Sequence, residues 1–161
     1  MNAPGAAAAS GWPPPRTLGI DYGRKRLGLA VTDPLGIAAH PLPGLRHPGE
    51  LPALLAALAE VIAEREIEHL VVGLPLNMDG TRGPMAREVE RFAAQLAEAT
   101  GLPLELVDER LSTREADERL AAAGMHWRRR KRHRDQVSAA ILLGEWLERR
   151  RRRAGAAREP G

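Results

Sequence analysis

Three carboxylates stand at the ends of apolar segments, where an isolated charge is costly to bury. Asp21 and Glu109 follow the apolar runs 17–20 and 104–107, and Asp135 begins a segment with apolar residues at helical spacing. If the strand ends are neighbours, these oxygen donors suit a hard divalent cation such as Mg²⁺. Two such ions can activate a water and stabilise the leaving oxygen of a phosphodiester. Hydrolysis of nucleic acid is the chemistry that this set would support.

Each of the three carboxylates also has a simpler explanation. Asp21 could be a turn residue, and Glu109 could be a solvated residue paired with Arg110. Asp135 could act only as the N-cap of the last helix. Asp108 is the neighbouring acid that could exchange roles with Glu109.

The sequence pattern predicts which elements position these residues. Strands that alternate with helices after an opening hairpin indicate an α/β fold, with a mixed sheet flanked by helices. Pro41 and Pro43 are expected to interrupt any extended segment between Ile37 and Leu45. The small residues 138–140 should let the last helix approach the sheet closely. The predicted strands are 17–21, 27–32, 68–73 and 104–107, and the predicted helices are 50–66, about 84–100, 112–124 and about 135–150.

Length and composition restrict the possible classes of protein. A chain of 161 residues fits one domain, and we expect tails at 1–15 and 153–161 around a domain at 16–152. The absence of Cys excludes disulfides, thiolate metal sites and Cys nucleophiles. The longest apolar stretch, Leu51–Ala59, is about half of the ~20 residues that a membrane-spanning helix needs. We therefore expect a cytoplasmic protein that does not act in a membrane.

Charge is distributed unevenly along the chain. Residues 1–109 hold nine Lys/Arg and fourteen Asp/Glu, whereas residues 110–161 hold fifteen and seven. This asymmetry favours an anionic polymer as partner. The densest basic run, predicted to be a loop before the last helix, would bind phosphates without reading sequence; it contains Arg128, Arg129, Arg130, Lys131, Arg132 and Arg134. Trp127 could stack on a base or anchor this loop, and the run 149–153 could be a solvated tail.

Other candidate nucleic-acid contacts lie near the predicted strand ends. Arg24, Lys25 and Arg26 occupy the turn beside Asp21, where at least one should contact a phosphate, although Lys25 could be a solvated hairpin tip. Arg110 could act in the same way. Asn77 lies in a polar loop that could steer a substrate or be a plain turn.

Four blocks in order resemble the YqgF (RuvX) family of the RNase H-like superfamily, and they span about residues 17–150. The chain departs from the family pattern at Arg82, where an acidic residue is common. The blocks are Gly19-Ile20-Asp21-Tyr22-Gly23-Arg24-Lys25-Arg26-Leu27-Gly28, Val72-Gly73-Leu74-Pro75-Leu76-Asn77-Met78-Asp79-Gly80, Val107-Asp108-Glu109-Arg110-Leu111-Ser112-Thr113 and Asp135-Gln136-Val137-Ser138-Ala139-Ala140-Ile141-Leu142-Leu143.

The resemblance implies an RNase H-like fold with a mixed five-stranded sheet, and a metal-dependent nuclease that processes the 5′ end of pre-16S rRNA. It implies that Asp21, Glu109 and Asp135 hold Mg²⁺ or Mn²⁺, and we expect Asp21 to bridge two ions. The partners would be an rRNA precursor and ribosomal particles, and the protein a monomer or weak homodimer. Two alternatives remain open at this point: a Holliday junction resolvase acting on branched DNA, and a non-catalytic nucleic-acid-binding or ribosome-assembly module.

Overall fold

The computed structural model describes residues 12–109, 118, 122, 124 and 127–158, and it omits the side chains of 127–136 and 156–158. The predicted helix at 112–124 therefore lies outside all but a few of the described residues. The elements in chain order are β1 (Thr17–Asp21), β2 (Arg26–Thr32), β3 (Ala39–Arg46), α1 (Leu51–Glu64), β4 (His69–Leu74), α2 (Pro84–Thr100), β5 (Leu104–Asp108) and α3 (Trp127–Arg158).

The five strands form one mixed sheet in the order β3-β2-β1-β4-β5. β1 pairs antiparallel with β2 and parallel with β4, and β5 pairs parallel with β4. The alternating side chains of each strand divide between two hydrophobic cores, as expected for a sheet covered on both faces. α1 and α2 cover one core and α3 covers the other. The mixed five-stranded sheet flanked by helices is the predicted architecture.

A close contact between α3 and the centre of the sheet depends on small residues. A Cβ at Gly19 in β1 would lie 3.0 Å from Leu143 Cβ and 3.3 Å from the carbonyl oxygen of Ala139. The predicted close approach of the last helix is thus confirmed, and the sheet contributes a glycine to it. This packing fixes the depth of α3 over the end of β1.

Two predicted boundaries are wrong. Pro41 and Pro43 do not interrupt the chain but lie within β3, which is the edge strand next to β2. An edge strand has one side without a strand partner, so prolines that lack an N–H donor are tolerated there. The last helix extends well beyond 135–150 in both directions and includes the basic run that we expected to form a loop. None of the helices among the described residues is both long and apolar enough to span a membrane.

Candidate active site

Acidic residues collect at one edge of the sheet because β1, β4 and β5 run in the same direction. Asp21 ends β1, and Asp108 ends β5 immediately before Glu109. The backbone N–H of Glu109 donates to the carbonyl oxygen of Leu74 at 3.2 Å, which ties this residue to the end of β4. Two of the three predicted carboxylates are therefore brought together by strand order alone.

The carboxylate of Glu109 lies over Gly73 of β4, on the face of the sheet that α3 covers. A Cβ added at Gly73 would collide with Oε2 of Glu109 and would lie 3.1 Å from Leu142 Cδ2. Glycine at this position leaves the space that the carboxylate occupies. The side chain of Glu109 is thus confined between the sheet and the apolar surface of α3.

Burial and a neighbouring acid change the titration of Glu109. Removal from water is the largest effect, and together with the negative charge of Asp21 it raises the pKa of Glu109 to about 8. A hydrogen bond between the Glu109 and Asp21 carboxyl groups and the charge of Asp108 act in the same direction. The two carboxyl groups are in direct contact, and without a counter-charge the site retains a proton on Glu109 near neutral pH.

The third predicted carboxylate, Asp135, belongs to α3. It cannot be an N-cap, because the helix begins at Trp127, two turns earlier. α3 runs from the Asp21 edge of the sheet, where Val137 lines the same groove as Asp21, towards Trp146, which stacks on His69 at the start of β4. Position 135 therefore lies in the part of α3 nearest the carboxylate edge. The Asp135 side chain itself is outside the described residues.

The basic turn between β1 and β2 is anchored to α2. Glu88 accepts hydrogen bonds from Tyr22 Oη at 2.8 Å and from Arg24 Nε at 3.0 Å. The ring of Tyr22 lies 4.7 Å from that of Phe92, between centroids. Partial burial is the largest cause that raises the pKa of Tyr22, to about 12, and the hydrogen bond to Glu88 adds to it. Arg24 is therefore held in an ion pair, although its side chain is 65% exposed.

An open groove of about 790 Å³ begins at Asp21 and continues along the turn and the edge strand. Lys25 and Arg26 are exposed on it, and Leu42, Pro41 and Pro43 of β3 provide an apolar wall. Its volume is within the range of ligand sites in proteins. The groove thus joins one of the paired carboxylates to two exposed cationic side chains.

The loop after β4 is held by its own hydrogen bonds. Asn77 Nδ2 donates to Thr81 Oγ1 at 2.9 Å, and the hydroxyl and backbone N–H of Thr81 both donate to Asp79 Oδ1. Arg82 donates to Glu90 at 2.8 Å, so its charge is partly offset by α2. These contacts support the plain turn interpretation of Asn77 as much as a role in steering substrate.

Several predicted nucleic-acid contacts cannot be placed by their side chains. Arg110 lies outside the described residues. Arg128, Arg129, Arg130, Lys131, Arg132 and Arg134 lie in α3, but their side chains and that of Trp127 are outside the described residues.

Sequence reasoning missed two residues that shape the site. Glu88 is separated from Arg24 by 64 positions, and it reads as one of several exposed acids on an amphipathic helix. Gly73 was predicted only as the end of a buried strand. A glycine at the end of an apolar strand is a usable signal, because glycine weakens a strand unless another group approaches its backbone closely.

A mixed sheet of this order, with paired carboxylates where its parallel strands end, defines a protein of the RNase H-like fold. Among solved structures, the chain is similar to RuvC of Thermus thermophilus in complex with a Holliday junction, with a TM-score of 0.53, 20% identity, and coverage of 83% of this chain and 94% of that one. It is also similar to the yeast mitochondrial Holliday junction resolvase, with a TM-score of 0.52, 12% identity, and coverage of 89% and 82%. At these identities the likeness shows the fold alone.

The chain belongs to the RuvX family, whose model, described as "Holliday junction resolvase", matches residues 15–149. A relative from Anaeromyxobacter dehalogenans, named "Putative pre-16S rRNA nuclease", is 49% identical over 135 residues, which are 84% of this chain and 98% of the relative. A relative of the same name from Myxococcus xanthus is 47% identical over 133 residues, or 83% and 87% of the two chains. The predicted family is confirmed.

Proposed function

We propose that this protein is a metal-dependent endonuclease that hydrolyses phosphodiester bonds of structured RNA and processes the 5′ end of pre-16S rRNA. The observation that carries the proposal is the direct contact between the carboxyl groups of Asp21 and Glu109 at the mouth of a groove with cationic side chains. Membership of the RuvX family and the names of its relatives support the substrate.

The paired carboxyl groups fit a hard divalent cation. Both offer only oxygen donors, which Mg²⁺ and Mn²⁺ prefer. They lie so close together that one keeps its proton when no cation is present, so a cation would relieve the repulsion between them. We propose that Asp21, Glu109 and Asp135 hold two ions, which would neutralise charge at the scissile phosphate and lower the pKa of a water.

The remaining roles follow from the described residues. Lys25 and Arg26 would bind the phosphates that flank the scissile bond, and Arg24 would keep the turn in place through Glu88. The apolar wall at Pro41 and Leu42 would lie against a sugar or an unstacked base. Burial of Glu109 beside Leu142 limits the water that reaches the carboxyl pair from the α3 side.

A second candidate function is resolution of branched DNA. The description of the family model favours it, and the same carboxylates would perform the same hydrolysis. The two candidates differ in substrate rather than in the residues that act on it.

One comparison tests both candidates. The wild-type protein would be incubated with a pre-16S rRNA fragment and with a four-way DNA junction, each in Mg²⁺, Mn²⁺ or EDTA. We expect cleavage of the RNA in either metal, no cleavage in EDTA, and little or no cleavage of the junction. Preferential cutting of the junction would establish the second candidate. Absence of cleavage in every condition, with RNA binding retained, would favour a non-catalytic binding module.

A further inference from the structure

A second groove, of about 330 Å³, lies between α3 and the edge strand β5, away from the basic turn. One wall is formed by residues 105–108 of β5, and the other by four side chains of α3. These are Trp146, Arg149, Arg150 and Arg153, and we call this feature the arginine groove. One end reaches Asp108, which is the neighbour of Glu109, so the groove leads away from the carboxylate pair.

Arg150 is built into the wall of the arginine groove. Its side chain is only 3% exposed, and its Cζ lies 5.1 Å from the centre of the Trp146 ring. Desolvation, and to a smaller extent the charge of Arg153, lower the pKa of Arg150. A guanidinium still stays protonated at neutral pH. The groove therefore contains a fixed positive charge that is poorly hydrated.

The acid in the wall of this groove is engaged by other groups. Glu105 Oε2 accepts a hydrogen bond from Trp146 Nε1 at 2.5 Å, and its Oε1 lies 3.9 Å from His69 Nε2. Arg149 and Arg153, in contrast, are exposed and one helical turn apart, which is about 6 Å along the axis. The solvent side of the groove is therefore dominated by guanidinium groups.

We propose that the arginine groove binds the sugar–phosphate backbone of the RNA strand that continues beyond the scissile phosphate. The inference rests on the proposed function for the identity of the strand. The groove is elongated and starts beside the carboxylate pair, which suits a continuing chain of phosphates better than a single small anion. Arg150 and Arg153 lie beyond the residues matched by the family model, so this contact is a property of the present chain.

Charge reversal at the two exposed arginines tests the proposal. Arg149→Glu and Arg153→Glu would be compared with Arg152→Glu, which makes the same charge change at an exposed position outside the groove. The probes are fluorescein-labelled single-stranded RNAs of about 16 and about 4 nucleotides. Binding would be measured by fluorescence anisotropy in EDTA over a series of salt concentrations.

We expect each groove variant to weaken binding of the long RNA by about tenfold and to reduce its salt dependence by about one ion. Arg152→Glu should change the affinity by less than about twofold, because a distant charge is screened by salt. The short RNA should bind all variants alike, since it does not extend from the carboxylate pair to Arg153.

Two results would overturn the proposal. The first is equal binding of the long RNA by the groove variants and Arg152→Glu. The second is an equal loss of affinity for the long and short RNAs. Circular dichroism would verify the fold of each variant. Because binding is measured without cleavage, failure of the proposed nuclease activity in a separate cleavage assay would be distinguishable from failure of the arginine groove.

Discussion

Gly73 and Glu109 fit together because the first has no side chain where the second has its carboxylate. A Cβ at Gly73 would collide with Oε2 of Glu109 and press on Leu142 of α3. The two residues lie on neighbouring parallel strands, at the edge where the paired carboxyl groups meet. The shape of β4 thus determines where the carboxylate of β5 can stand.

Gly73→Ala is expected to reduce RNA cleavage by about 100-fold, because displacement of a reacting group by about 1 Å can cost that much. Crowding in a packed core should also lower the free energy of unfolding by about 1–3 kcal/mol. Single-turnover cleavage and urea unfolding would measure the two effects. Both would be recorded at a temperature where the variant remains folded.

Gly144→Ala is the matched control, since it adds a methyl group to the interior of α3 with no atom within 4 Å. It should leave cleavage unchanged and raise stability by about 0.5–1 kcal/mol, because alanine is the better helix former. Cleavage by Gly73→Ala at the wild-type rate would contradict the role assigned to the Gly73–Glu109 fit.

The carboxyl pair predicts a pH dependence of stability in the absence of divalent metal. The pKa of Glu109 is about 8 in the folded protein and about 4.5 when unfolded, so the folded state binds more protons between these values. Stability should therefore fall as the pH rises from about 4.5 to about 8, by about 1–3 kcal/mol. Thermal unfolding in EDTA at several pH values would measure this.

Glu109→Gln supplies the control for the pH experiment, because it removes the titrating group and keeps the shape. The loss of stability between pH 4.5 and 8 should be smaller in this variant by about the same 1–3 kcal/mol. An identical pH profile for the wild type and Glu109→Gln would show that Glu109 does not carry a raised pKa.

The anchor of the basic turn can be tested through stability. Glu88→Gln leaves Tyr22 and Arg24 without the carboxylate that accepts from both, and it should lower the free energy of unfolding by about 1–2 kcal/mol. Glu90→Gln, which removes an exposed partner of Arg82 on the same helix, should change it by less than about 1 kcal/mol. Urea denaturation of both variants would compare them, and equal effects would contradict a special role for Glu88.

The sequence was sufficient to predict the strands that carry the site. The apolar runs that end at Asp21, Leu74 and Asp108 indicated buried strands, and strand order then brings two carboxylates together. This succeeds because hydrophobic periodicity is a local signal and because parallel strands end at one edge.

The parts that were missed depend on contacts between distant segments. Nothing near Pro41 shows that β3 would pair with β2 at an edge, where a missing N–H is harmless. The early part of α3 has no apolar periodicity, and Asp135 imitated an N-cap, although arginine is a good helix former. The Glu88–Arg24 pair likewise joins two elements that no local pattern relates.

The central claim is that the carboxylates at the sheet edge perform the hydrolysis of RNA. Single-turnover cleavage of a pre-16S rRNA fragment in Mg²⁺ by the wild type, Asp21→Asn and Asp33→Asn tests it most directly. Asp33 is a matched acid that caps a turn after β2, where its Oδ1 accepts from the backbone N–H of Ile37. We predict a loss of at least about 1,000-fold for Asp21→Asn and a rate within about twofold of wild type for Asp33→Asn. Cleavage by Asp21→Asn at the wild-type rate would contradict the account.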